Sequence, residues 1–190
     1  MISEKMEDLI LEMKDTSELM VDLAYSAFLY DSEDIANEVM LLENGMDQLH
    51  KRVQDMAMKQ GLEDKNSKKA LFIINLVGAI ERVADSAIEI ADVVLRDIEP
   101  HPIFYMSLME SDTVITKVVA AKGSQLDDKS LGQIKLASET GMWVIAIKRG
   151  NRWIYGPDES TKLKAMDELF VRGPKEGLAV SYTHLTLPTN

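Results

Sequence analysis

Gly141-Met-Trp-Val-Ile-Ala-Ile-Lys-Arg-Gly-Asn-Arg-Trp-Ile-Tyr-Gly-Pro157 decides the fold, because it writes a β-hairpin into a chain whose first half is helical in pattern. Met142 to Lys148 is rich in β-branched and aromatic residues. Gly150-Asn151 supplies a two-residue turn that tolerates positive φ, and Trp153-Ile154-Tyr155 returns until Gly156-Pro157 stops it. Working outward, Val114 to Ala121 reads as a strand and Ser130 to Thr140 as a short helix. Leu169 to Arg172 reads as a last strand before Gly173-Pro174. The order β-α-β-β-β within residues 110–180 predicts a small α/β sheet domain. So small a sheet is expected to pair with a second copy.

Before the sheet the period changes to that of a helix. Met6, Leu9, Ile10, Met13, Leu19, Met20, Leu23, Ala27 and Phe28 predict a first helix from about Ser3 to Tyr30. Asp31-Ser32 breaks it and caps the next. Ile35, Val39, Leu42, Met46, Leu49, Val53 and Met56 continue through a second helix ending near Gln60-Gly61. Leu71, Ile74, Val77, Ile80, Ala84, Ala87, Ile88, Ala91 and Val94 mark a third, Ser67 to about Asp97. Short connections leave adjacency as the simplest packing, so residues 1–98 read as a three-helix antiparallel bundle and the whole chain as α+β.

Glu99-Pro100-His101-Pro102 cannot continue a helix, because proline removes a backbone donor and restricts the residue before it. Residues 99–109 are therefore expected to link the bundle to the sheet. Residues 181–190 contain no Asp, Glu, Lys or Arg and differ abruptly in composition. They are set aside as a tail of doubtful origin.

The chain has 190 residues, 46% of them hydrophobic and 28% charged, which suits a folded protein in one or two domains. No apolar run approaches the roughly 18 residues that cross a bilayer. No basic-then-apolar leader opens the chain, so a cytoplasmic location without direct membrane insertion is expected. The absence of cysteine excludes disulfides, zinc-thiolate sites and thiol catalysis. The 12 methionines read most simply as packing residues. The net charge of −11 lies in the helical half: residues 1–98 carry 21 acidic and 10 basic side chains, residues 99–190 carry 11 of each. Such a surface repels phosphate backbones, so no nucleic-acid partner is expected, and cations or a basic partner are its natural counterparts.

Glu81, Asp85, Glu89 and Asp92 place four carboxylates along one side of the third helix, and Asp15, Glu18 and Asp22 stand at i, i+3 and i+7 on the first. Like charges at this spacing repel, so the line implies solvent, basic side chains opposite, or a cation. Carboxylates without Cys or well-placed His favour hard ions, Mg²⁺, Ca²⁺ or Mn²⁺, with iron possible in helical carboxylate sites.

Ile80-Glu81-Arg82-Val83-Ala84-Asp85-Ser86-Ala87-Ile88-Glu89-Ile90-Ala91 resembles the signature helix of the PhoU domain, a three-helix unit of phosphate-transport regulators, whose motif is a carboxylate followed four positions later by Asp. Glu81 and Asp85 match it, and Glu18 and Asp22 repeat the spacing on the first helix, away from the usual signature position. The resemblance implies that Glu18, Asp22, Glu81 and Asp85 are metal ligands. The usual pattern has two three-helix repeats and this chain has one, so a complete metal site would need a second chain.

Gly123-Ser124, Leu131, Gly141, Val144 to Ile147, Arg149, Trp153-Ile154, Pro157, Leu163, Asp167, Leu169 to Val171 and Gly173 follow in order and spacing the TrkA-C domain, the C-terminal module of potassium-conductance regulators. The resemblance spans about Val114 to Leu178 and departs at Met166, where the pattern has glycine and where positive φ would strain methionine. It implies dimerisation and binding of small regulatory ligands, cyclic dinucleotides among them, between paired sheets. Lys148, Arg149 and Arg152 are either anion-attracting residues for such a ligand or a solvated hairpin end.

No glycine-rich loop follows a strand, so no NAD or ATP motif is present. His50, His101 and His184 form no triad or acid–base arrangement in the sequence, and no enzyme is expected. The two resemblances together imply a regulatory subunit of an ion-transport system, for potassium or another cation. Its partner would be a membrane transporter or channel, and the sheet half would dimerise and bind an effector. The alternative is a metal-binding phosphate-transport regulator acting through the helical carboxylates.

Overall fold

The computed structural model describes residues 4–63, 67–96, 102–110, 112–121 and 128–177. The chain divides into two compact units, Met1–Glu99 and Pro100–Asn190. Part of the expected linker (99–101), Gly123-Ser124 and the tail 181–190 lie outside the described residues.

The first unit is three helices, α1 (Glu4–Tyr30), α2 (Glu33–Glu63) and α3 (Ser67–Leu95), each packed on the other two. Their buried stripes are the apolar periods of the sequence. Met6, Met13, Met20 and Leu23 of α1 face Ile35, Val39, Met46 and Val53 of α2 and Ile73, Val77, Ala84, Ala87 and Ala91 of α3. The small residues along α3 let its neighbours approach, and flexible methionines fill the irregular gaps between helices. The α1–α2 corner is tight. Asp31 takes a left-handed φ of 47°, the Ser32 N–H donates to the Ala27 carbonyl at 3.0 Å, and the Ser32 Oγ accepts from the Ile35 N–H at 3.5 Å. One end is thus closed in the Schellman manner while the next helix is capped.

The expected linker holds a further helix, α4 (Pro102–Glu110). Proline stops a helix but also starts one well, since its missing N–H would have no partner in the first turn and its φ is already helical. The same residue that argues against continuation of α3 therefore opens α4.

The second unit is a four-stranded antiparallel sheet of β1 (Thr113–Val119), β2 (Trp143–Arg149), β3 (Arg152–Tyr155) and β4 (Glu168–Pro174), in the spatial order β1-β4-β2-β3. The expected short helix is two, α5 (Leu131–Ile134) and α6 (Leu136–Thr140), because Lys135 between them adopts a left-handed φ of 53°. Ser130 and Gln133 close α5 with a reciprocal capping box, and Gly141, at φ 70°, ends α6. The core is Val118, Leu136, Met142, Ile147, Leu163, Leu169 and Val171. In the hairpin Arg149 pairs with Arg152, so Gly150-Asn151 is a two-residue loop, with positive φ at Gly150 alone.

Met166 stands in the left-handed region at φ 71°, the third residue of a turn closed by the Asp167 N–H on the Lys164 carbonyl at 3.1 Å. A turn of this type asks for glycine at that position. Met166 is 65% exposed, so little packing offsets its strain. Met166→Gly is expected to raise stability by about 1 kcal/mol, the left-handed cost of an L side chain less the entropy glycine loses on folding. Urea denaturation checks it.

Candidate functional site

The four carboxylates singled out on the helices do not converge within one chain. Glu18 pairs with Lys14 one turn earlier at 3.0 Å, and the Glu18 and Asp15 carboxylates hold the Lys14 ammonium above its ordinary range. Asp22 lies buried on the same helix. Glu81 meets the His50 Nδ1 of α2 at 2.8 Å, and the His50 Nε2 in turn meets the Gln54 amide at 2.7 Å. Asp85 is exposed, and Asp92 pairs with Arg96 at 2.6 Å. Among the described residues no three of the His, Cys, Asp and Glu side chains form a group that would hold a metal. Glu18 and Glu81 each already have a protein partner within the chain, Lys14 and His50. Sequence spacing shows which face carries the carboxylates; it does not show that a histidine on the neighbouring helix meets one of them.

The sheet unit offers a different kind of site. Leu131, Leu136, Met142, Trp143, Val144 and Pro157 line a hollow of about 540 Å³, with Gly132, Lys135, Asp158 and Glu159 among its other lining residues. Its size is that of small-molecule sites, which are largely apolar with a few polar groups. Trp143 is 66% exposed. The reason is a β-bulge: the β2–β4 register shifts between Val144 and Ala146, so Val144 opposes Val171 while Ala146 opposes Phe170. Strict alternation from Ile147 through Ile145 would have placed Trp143 on the core face. The extra residue sends Met142 and Val144 there instead and leaves the indole outside. Nothing in the local sequence announces the bulge, which is why Trp143 was not singled out.

The Asp158 carboxylate is held below its ordinary range by hydrogen bonds from the Ser160 and Thr161 hydroxyls, so it stays anionic. Glu159 adds a second acid and Lys135 a single base, so the charged lining is two carboxylates against one ammonium. Selection of a ligand here rests on apolar and aromatic surface more than on net charge.

Of the basic residues proposed at the hairpin end, Arg149 is committed to the fold. Its Nε donates to Asp167 Oδ1 at 2.8 Å and one terminal nitrogen to Oδ2 at 2.7 Å, while the same nitrogen reaches the Lys162 carbonyl at 2.8 Å. The buried Asp167 also accepts the Lys164 N–H at 2.8 Å. That pairing keeps Arg149 charged and leaves it unavailable to an incoming anion. Lys148 lies over the Trp153 ring, 5.1 Å from its centroid, and Arg152 is exposed beside the turn.

Two family models match the chain: the PhoU domain over residues 10–94 and the TrkA-C domain over residues 115–182. No curated protein gives a significant match. Among solved structures, the chain is similar to the RCK_C domain dimer of S. agalactiae BusR in complex with c-di-AMP, at 20% identity and a TM-score of 0.37, covering 40% of this chain and 93% of that one. A second is the RCK C domain of the potassium transport protein KtrA in complex with c-di-AMP, at 23% identity and a TM-score of 0.36, covering 43% of this chain and 92% of that one. A third is S. agalactiae BusR in complex with its busAB-promotor DNA, at 16% identity and a TM-score of 0.37, covering 63% of this chain and 64% of that one. Likenesses this distant carry neither ligand, DNA nor partner over to this chain. No helix among the described residues is long and apolar enough to cross a membrane.

Proposed function

We propose that this PhoU domain followed by a TrkA-C domain is a non-catalytic regulatory subunit of a cation-transport system, with potassium the first candidate ion and a membrane transporter or channel as its partner. The sheet unit pairs with a second copy and takes a small effector in the hollow beside Trp143. The observation that carries the reading is that hollow: an apolar recess with an exposed indole at its lining, set in the domain type whose resemblance implies ligand sensing. Its effector has a flat apolar face able to stack on the indole, as the bases of cyclic dinucleotides do. The acidic surplus of the helical half disfavours a nucleic-acid backbone as partner and suits a basic cytoplasmic loop of a transporter.

Regulation requires only that the effector bind one arrangement of the protein better than another. Trp143→Ala should lower affinity for the effector by about 5- to 150-fold, since stacking on an aromatic is worth about 1–3 kcal/mol per base. It should leave the unfolding midpoint of the free protein nearly unchanged, because the residue is exposed. Isothermal titration of wild type and variant with cyclic dinucleotides measures both affinities. Isolation of the tagged full chain from native membranes tests the partner: a cation transporter or channel should accompany it, and recovery of no transport protein would contradict the reading.

A further inference from the structure

Of the bases that the sequence offered to an anionic ligand, Arg149 is taken by Asp167 and Lys148 lies over Trp153, yet the hollow beside Trp143 has a base of its own. Lys135, exposed at the junction of α5 and α6, lines it. What Lys135 does for the fold is done by its backbone. Its N–H donates to the Leu131 carbonyl at 3.2 Å, and its carbonyl accepts from the Glu139 N–H at 2.9 Å and the Ser138 Oγ at 3.0 Å. Its ammonium has no ion pair or hydrogen bond among the described residues.

Backbone and side chain are thus at odds. Lys135 stands at φ 53° and ψ 30°, in the left-handed region, where a Cβ crowds the following carbonyl and glycine is at ease. The break between the two helices asks only for that conformation, which glycine would supply with every one of these hydrogen bonds intact. Strain of this kind is characteristic of ligand clamps, and here it places a charged side chain at a recess.

We infer that Lys135 holds the anionic group of the effector while the effector's flat face lies on Trp143. The other charged lining groups are the Asp158 and Glu159 carboxylates, and both repel an anion set against them. The charges of the hollow therefore favour one orientation, with the anionic group toward Lys135. This assignment rests on the reading of the hollow as the effector site and adds to it the chemical class: a nucleotide bound through phosphate as well as base, in preference to an uncharged nucleoside.

The test uses the full chain as wild type, Lys135→Gly and Lys135→Arg. Isothermal titration with cyclic di-AMP and with cyclic di-GMP reads the contact, and thermal unfolding of each ligand-free form, followed by tryptophan fluorescence, reads the fold. For whichever dinucleotide wild type binds, Lys135→Gly should weaken affinity about tenfold, the loss of one charge-assisted hydrogen bond at an exposed position. Lys135→Arg keeps the charge and should restore most of that affinity. The ligand-free midpoint of Lys135→Gly should hold or rise, since the left-handed strain is relieved. Unchanged affinity in Lys135→Gly overturns the assignment and leaves the effector site standing, as does an arginine variant as weak as the glycine one. A lowered midpoint in Lys135→Gly also overturns it, because the side chain would then be supporting the fold. Binding of neither dinucleotide by wild type overturns the reading of the hollow and this assignment with it.

Discussion

Replacing Asp167 by alanine is expected to lower the stability of the sheet unit by about 3–5 kcal/mol, the cost typical of removing one partner from a buried ion pair. Asp167 is fully buried and accepts both a two-pronged bond from Arg149 and the Lys164 backbone N–H. Its own backbone closes the turn around Met166 and bonds Ala120, so one residue ties the end of β2 to the approach to β4 and the exit of β1. Alanine leaves the guanidinium with the Lys162 carbonyl as its remaining acceptor and takes the carboxylate from the Lys164 amide. Both tryptophans, Trp143 and Trp153, lie in the sheet unit, so their fluorescence during urea denaturation follows that unit alone. Arg149→Ala should be nearly as damaging, because it strands the carboxylate in the interior. A loss below 1 kcal/mol in both variants would show that water reaches the pair.

Gly173→Ala should cost about 3 kcal/mol by crowding alone, the upper part of the range for forcing one methyl into a packed site. A Cβ at Gly173 would stand 2.5 Å from the Gly141 carbonyl oxygen and 2.6 Å from the Met142 sulfur. The thioether can turn aside, but the carbonyl cannot: Gly141 is held in its left-handed conformation as the end of α6, its N–H on the Ala137 carbonyl at 2.9 Å. Gly173 itself has no positive φ, so the penalty is one of space and not of backbone conformation. The same fluorescence-monitored titration applies. Unchanged stability would mean that α6 and β4 separate without cost.

Local signals made much of this architecture legible. The three helices, the two-residue turn at Gly150-Asn151 and the stops at Asp31, Gly141 and Pro157 are each written within a few residues, and the α+β order follows from them. What required the folded chain was pairing at a distance. Strand order β1-β4-β2-β3 depends on β4 inserting between β1 and β2, which no periodicity encodes. Arg149 and Asp167 were both visible as pattern residues, yet their union across 18 positions was not, so Arg149 read as an anion-attracting residue or a solvated hairpin end. Trp143 was hidden by a one-residue bulge that reverses which side of the strand it occupies. The helical carboxylates show the limit from the other direction. Their spacing is real, but spacing on one helix cannot reveal that Glu81 meets His50 of the next.

Thermal unfolding of the chelated full chain, followed by tryptophan fluorescence for the sheet unit and by far-ultraviolet circular dichroism for the helical unit, and titrated separately with cyclic dinucleotides and with Mg²⁺, Mn²⁺, Ca²⁺ and Fe²⁺, tests the central claim most directly. Ligand at about a hundred times its dissociation constant adds about 2.7 kcal/mol to the native state, enough to raise the midpoint of so small a unit by about 10 °C. The account predicts that rise with a cyclic dinucleotide and its loss in Trp143→Ala. A midpoint that moves only with metal, and stops moving when Glu81 and Asp85 are both replaced by alanine, would contradict it and place sensing in the helical carboxylates.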